Sequence, residues 1–213
     1  MAPYFLDSST ARLIREFKLP KSLGFGQCMA PVMFRADCAD GQWGPGQLLT
    51  YGPIAVDPAA KVLHYAQSVF EGLKAYHVKQ PRPALFRPEM NWSRFNTSAI
   101  RMMMPELPKN LFLDGVLSLT ASCEPLIPHA PGQSLYLRPL LFGTQATLGL
   151  ALSRSHTFLV IASICDALTT APLRILVERD GTRAARGGTG NVKVSGNYGA
   201  SLSATAAAMA LGF

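Results

Sequence analysis

The chain has 213 residues, 48% of them hydrophobic and 15% charged, against a charged share of about 25% in ordinary soluble domains. That balance excludes a disordered chain, and the lack of any three- or seven-residue period excludes collagen-like and coiled-coil architectures. Twenty Lys+Arg against 13 Asp+Glu give a net charge of +7, a field that favours anionic ligands.

The basic residues are spread along the chain without a Lys/Arg block, so an anionic small molecule is expected and nucleic acid is not. The cysteines, Cys28, Cys38, Cys123 and Cys165, form no C-x-x-C pair. His64, His77, His129 and His156 do not fall at metal-ligand spacings near them, so no metal is expected. Reduced thiols point to a cytoplasmic address. Asp7 precedes any apolar run, unlike a secretory signal. Arg12, Arg15, Lys18 and Lys21 give a faint likeness to a mitochondrial transit peptide, against which Asp7 and Glu16 count. The longest strongly apolar stretch, 158–165, is far too short to span a bilayer, and no membrane partner is expected.

In chain order, residues 1–45 read as irregular. A strand is expected over 48–56, with Gly52-Pro53 marking an edge or bend. Asp57-Pro58 suits the start of a helix running over 59–69 and stopped by Gly72. Strands over 73–78 and 84–87 follow, joined by Gln80, Pro81, Arg82 and Pro83. Pro88 opens a second helix that ends before Pro105, and a third runs over 109–126. The segment 134–142 is a strand whose Pro139 implies a bulge or an edge. Residues 144–154 read as a linker between a small α/β domain, 46–143, and a second domain opening at 155. Strands over 157–165 and 173–178, a glycine loop at 187–190 and an Ala-rich helix from about Asn197 complete the chain. The second domain thus reads as the unfinished first part of a larger one, because so few elements cannot close a core.

The loop Gly187-Gly188-Thr189-Gly190 fits neither phosphate-loop pattern: Lys193 is followed by Val194 instead of Ser or Thr. Lys193 itself lies between Val192 and Val194. A lysine usually points to solvent; a buried one would lose its proton more readily and become the nucleophile that carbonyl condensation requires. Arg87, Arg94 and Arg101 recur every seven residues along one helical stripe. Arg87 and Arg101 suit a solvated face. Arg94, set among Trp92, Phe95, Ala99 and Ile100, suits a partly buried guanidinium that binds an anion such as phosphate in bidentate fashion.

Four stretches together resemble the branched-chain amino-acid aminotransferases, which are fold-type-IV pyridoxal-phosphate enzymes. They are HYAQSVFEGLKAY (64–76), FRPEMNWSRFNTSAIRMMMP (86–105), SLYLRPLLFG (134–143) and GGTGNVKVSGNYGASL (187–202). The resemblance implies an α/β (α+β) fold of that type and pyridoxal 5'-phosphate as cofactor. It implies amino acids and 2-oxo acids as small-molecule partners, with the amino group passing from Leu, Ile or Val to 2-oxoglutarate, and a homodimer. Lys193 matches the lysine that carries the cofactor and moves the substrate proton, Arg94 the arginine on the cofactor phosphate, and Tyr198 the tyrosine beside the phenolic oxygen. Tyr65, Phe70 and Gly72 match the wall of the side-chain pocket. Tyr136 and Arg138 match the pair near the substrate carboxylate, and Leu148 and Leu150 the loop reaching the neighbouring subunit.

Two departures stand out. The segment Asp166-Ala167-Leu168-Thr169-Thr170-Ala171-Pro172 is shorter than the family's and lacks its tyrosine. The family chain also continues past the equivalent of Phe213, into a part that supplies the acid on the cofactor's ring nitrogen and further phosphate-binding turns. A C-terminally truncated, impaired enzyme is therefore the expectation. A D-amino-acid transaminase, an aminodeoxychorismate lyase and a non-catalytic fragment are the alternatives.

Overall fold

The computed structural model describes residues 4–78, 82–168 and 171–213. Gln80 and Pro81 of the expected turn, and Thr169 and Thr170 of the shortened segment, lie outside the described residues.

Residues 1–45, expected to be irregular, instead carry a helix and three strands. Helix α1 (Ser8–Glu16) is capped by Asp7, whose carboxylate accepts the Thr10 N–H at 2.9 Å. Strands β1 (Cys28–Met29), β2 (Val32–Ala39) and β3 (Gln42–Trp43) follow, then β4 (Gln47–Thr50). The expected helix over 59–69 shrinks to α2 (Lys61–Tyr65), and the chain turns at Ala66 with φ 48° into β5 (Ser68–Phe70). Pairing of β5 with a distant strand wins over local helical preference. After β6 (Leu73–Tyr76) and β7 (Ala84–Leu85) come α3 (Pro88–Arg101) and α4 (Lys109–Ser122), then the long strands β8 (Ser134–Gly143) and β9 (Ser155–Cys165). Two short helices, α5 (Ser195–Gly199) and α6 (Leu202–Ala210), end the chain. Residues 173–178, expected as a strand, take no strand conformation, and Leu173, Ile175 and Val177 are exposed. Their apolar composition is strand-like, but a strand exists only against a partner.

Among the described residues all nine strands form one antiparallel sheet, whose main path runs β3-β2-β9-β8-β6-β7. Strands β8 and β9 pair along their whole lengths, from Ser134 opposite Cys165 to Gly143 opposite His156. Residues 155–165, expected to open a second domain, therefore sit in the middle of the sheet built by the first. The small and polar residues of 144–154 serve a connection between paired strands as well as they would serve a linker.

Pro139 is neither at an edge nor in a bulge. Its carbonyl accepts the Glu71 N–H at 2.8 Å, so its missing N–H also falls on that side, where the neighbouring ladder breaks between β5 and β6. The pairing of Pro139 with Val160 on the other side loses nothing. The proline thus marks the gap in which Glu71 and Gly72 lie.

Helices α3 and α4 cover one face of the sheet. Phe34, Phe95, Phe112 and Phe158 meet there with ring centroids 5.6–6.2 Å apart. Gly115 lets α4 approach: a Cβ at that position would come within 2.9 Å of the Phe34 ring. In α6 no residue is buried. Among the described residues no helix is long and apolar enough to cross a membrane, and no cluster of His, Cys, Asp and Glu could hold a metal ion.

Candidate active site

The main chain around Lys193 is fixed from two directions. Val194 bridges to Val69, and the Phe70 N–H donates to the Lys193 carbonyl at 3.1 Å, so this segment lies beside β5 like a further short strand. From the other side, the Lys193 N–H donates to the Ser98 hydroxyl at 2.9 Å, one turn along α3 from Arg94. The buried side chains of Val192 and Val194 hold the segment in the core, while Asn197 closes the loop before it. Asn197 is buried and donates to the carbonyls of Thr189 at 2.7 Å and Val192 at 2.8 Å, while its own oxygen accepts from the Thr189 hydroxyl. Strong local bonds therefore place the lysine with little freedom left to its backbone.

Its side chain ends among aromatic rings. Nζ donates to the Tyr198 hydroxyl at 2.7 Å and lies 4.5 Å from the centroid of Phe70 and 4.8 Å from that of Tyr198. The Arg138 guanidinium sits 4.7 Å from the same Phe70 ring, so one aromatic ring contacts two cations. Arg138 also donates to the Tyr136 hydroxyl at 2.9 Å. Gly72 faces that hydroxyl so closely that a methyl group at the position would overlap it. Lys193 is half-buried, between the solvent-facing and the fully buried positions that its sequence context allows.

Arg94 is anchored by Glu71, whose side chain is fully buried while that of Arg94 is 59% exposed. Nη2 donates to one Glu71 oxygen at 2.8 Å and Nε to the other. These hydrogen bonds, with the negative charge behind them, hold the Arg94 pKa above its ordinary value against the opposing effect of desolvation. The Ser98 hydroxyl also donates to the Arg94 carbonyl at 3.0 Å while accepting the Lys193 N–H, which ties the two main chains together.

No family model matches the chain. Curated relatives do. Branched-chain-amino-acid transaminase 1 of Bacillus subtilis is 41% identical over 199 residues, which is 91% of this chain and 56% of that protein. A probable branched-chain-amino-acid aminotransferase of Streptomyces coelicolor is 43% identical over 194 residues, 89% of this chain and 54% of its own length. This chain belongs to the branched-chain-amino-acid aminotransferase family. It spans about half the length of the curated relatives it matches. Its fold agrees: the T.th. branched-chain amino acid aminotransferase complexed with N-(5'-phosphopyridoxyl)-L-glutamate superposes with a TM-score of 0.62 at 23% identity, over 83% of this chain and 55% of that one. The same T.th. enzyme in another crystal structure gives 0.57 at 25% identity, again over 83% and 55%.

The aminotransferase fold brings Lys193, Tyr198, Phe70, Arg138, Tyr136 and Gly72 into one cluster, with Arg94 joined to it through Ser98. The other expected site residues form a separate group. The Tyr65 hydroxyl donates to the Leu148 carbonyl, and Tyr65 and Leu150 line a hollow with Lys61, Gln67 and Met102. Leu148 and Leu150 are 64% and 86% exposed. This group shares no hydrogen bond or ring contact with Lys193 among the described residues. Arg101 does not stand on a plain solvated face; it donates to the carbonyls of Gly187 and Gly188 at 3.1 and 3.3 Å and so holds the glycine loop. Arg87 precedes α3 in a left-handed conformation, off the helical stripe.

Sequence reasoning missed Glu71, Ser98 and Phe25 as site-shaping residues. Glu71 was legible as the only acid within the FEGLKAY stretch. Phe25, which packs edge-on against Tyr136 at 4.9 Å, sits in a segment with no strand signal around it.

Proposed function

We propose that this chain contributes the lysine-bearing portion of a pyridoxal-phosphate-dependent transaminase that moves the amino group of Leu, Ile or Val to 2-oxoglutarate. The observation that carries the proposal is the Lys193 amine, 2.7 Å from the Tyr198 hydroxyl and against the Phe70 ring, with Arg138 on that same ring. The residues present fit the cofactor. Lys193 is partly open and has a hydroxyl partner instead of a carboxylate, leaving its amine available to an aldehyde. Arg94 spends only its Nε and Nη2 donors on Glu71, leaving others for a phosphate. When bound, pyridoxal phosphate supplies the electron sink that makes a substrate Cα proton acidic.

The protein's own groups do the rest. Lys193, once free, is the base that takes the proton from the substrate Cα and returns it elsewhere. Tyr198 orients the amine through their shared hydrogen bond. Arg138, with Tyr136 fixing its guanidinium, receives a carboxylate. Phe70 offers an apolar surface to a branched side chain, with each buried methylene worth ~0.8 kcal/mol. The branched-chain names of the relatives favour this substrate class over D-alanine or aminodeoxychorismate.

A homodimer is part of the proposal. The exposed Leu148 and Leu150 support it, and sedimentation of the purified chain tests it. A cytoplasmic address is supported by four free, buried thiols. The decisive experiment is borohydride reduction with pyridoxal phosphate followed by peptide mapping. A label at Lys193 is expected, and a label at Lys61 or another lysine refutes the assignment. A panel of amino donors then tests the substrate class, and a preference for D-alanine overturns it.

A further inference from the structure

The Arg94–Glu71 pair is inside the protein at one end and outside at the other. Glu71 is fully buried in the gap left by Pro139, and it has no room to swing. Besides Arg94, its Oε2 accepts from Asn91 Nδ2 at 2.8 Å and from the Gly72 N–H at 3.1 Å. Asn91 is tied in turn to the Gly72 carbonyl at 3.3 Å. A carboxylate so placed is a fixed point, since it could leave its donors only at the cost of standing alone out of water.

Arg94 meets that fixed point with one edge of its fork. A guanidinium carries five N–H donors in a rigid plane. The Nε and Nη2 contacts to Glu71 lock the plane and leave both Nη1 protons and the second Nη2 proton on the far side. A long side chain that is 59% exposed would otherwise sample many rotamers. The pair therefore does more than tether α3 to the sheet; it pre-sets the direction in which the free donors point.

We propose that Glu71 is a positioning residue for phosphate recognition, holding one edge of Arg94 so that the other is presented to the phosphate of the cofactor. This rests on the pyridoxal-phosphate reading above. Because Glu71 neutralises Arg94, recognition depends on the geometry of the presented donors more than on an uncompensated charge. The partner ligand is a phosphate monoester joined to an aldehyde that reaches Lys193.

The test compares two ligands differing only in that phosphate. Binding of pyridoxal phosphate and of pyridoxal is titrated by absorbance on the unaltered chain, on Glu71→Gln and on Asn91→Ala. Glu71→Gln is expected to weaken pyridoxal phosphate about tenfold, the effect of one misplaced charge-assisted hydrogen bond, with pyridoxal changed less than about twofold. A purely structural role would weaken both ligands alike. Asn91→Ala, at a half-buried position on α3, is expected to act in the same direction by about threefold, and it decides the matter if Glu71→Gln does not fold. An unchanged ratio of the two affinities in the folded variants overturns the role of Glu71 and leaves the cofactor reading standing. An unaltered chain that binds pyridoxal phosphate no better than pyridoxal overturns both.

Discussion

His156 should make this protein acid-labile in a defined window. It lies in β9 opposite Cys38 and Gly143, is 3% exposed, and neither ring nitrogen finds a hydrogen-bond partner among the described residues. Burial lowers its pKa to about 4. In the unfolded chain an ordinary histidine titrates near 6.5, so below that value the unfolded state takes up a proton that the folded state refuses. The folded state is therefore fully favoured above pH ~6.5 and loses ground as pH falls towards the folded pKa of about 4. The loss is about 2 kcal/mol at pH 5 and about 3 kcal/mol at pH 4. Urea unfolding of the unaltered chain and of His156→Leu at pH 7.5, 6 and 5 measures it by difference. Carboxylates such as Asp166 and Glu178, which hydrogen bonds hold below their ordinary range, contribute equally to both proteins and cancel. The leucine variant should gain about 2 kcal/mol on the unaltered chain between pH 7.5 and 5. Stability curves that stay parallel across that range would refute the reasoning.

Three further outcomes can be checked with the same material. Asn197→Ala strands the Thr189 and Val192 carbonyls and should cost about 2 kcal/mol, concentrated in the Lys193 loop; faster amide exchange over 187–199 is the readout. Gly115→Val forces a side chain into the Phe34 and Val160 contact and should destabilise by about 1–3 kcal/mol in urea. The four cysteines are all buried, and burial pushes the Cys123 thiol up to about 12. Thiol reagents at pH 8 should accordingly label Cys123 only as fast as the protein unfolds.

Helices α3 and α4 could be read from the sequence because their signals are local. Pro88 sits at the first helical turn, where its missing N–H is harmless, and Leu111, Phe112, Val116 and Leu119 fall on one buried face. The long strands β8 and β9 were equally plain as apolar runs. What stayed hidden depends on partners far along the chain. Strand β2 pairs with β9, and its Asp37 accepts a hydrogen bond from Thr157, 120 residues away. Nothing within 32–39 announces that neighbour. The same holds for 173–178, where strand-like residues lack a ladder. Pro139 misled for a subtler reason: a proline forbids a central strand only if its missing donor faces a continuous neighbour, and the facing ladder is interrupted there.

The candidate site divides along the same line. Motif matches singled out Lys193, Arg94, Tyr198 and Arg138, which the fold brings near one another, because each sits in a short stretch of distinctive spelling. The electrostatic logic that joins them was not in any one stretch. Lys193, Arg138 and Arg94 bring three cations to one region, and among the described residues the sole carboxylate bonded to any of them is Glu71, which engages Arg94 alone. Arg138 and Lys193 thus face ligands with their charge shielded only by aromatic rings and phenols, which weaken it far less than a carboxylate would. On the proposed function, an amino acid would bring a carboxylate to this region and the cofactor a phosphate. On that proposal the arrangement would offer the phosphate a pre-neutralised, geometrically fixed donor set and leave the uncompensated charge for the carboxylate.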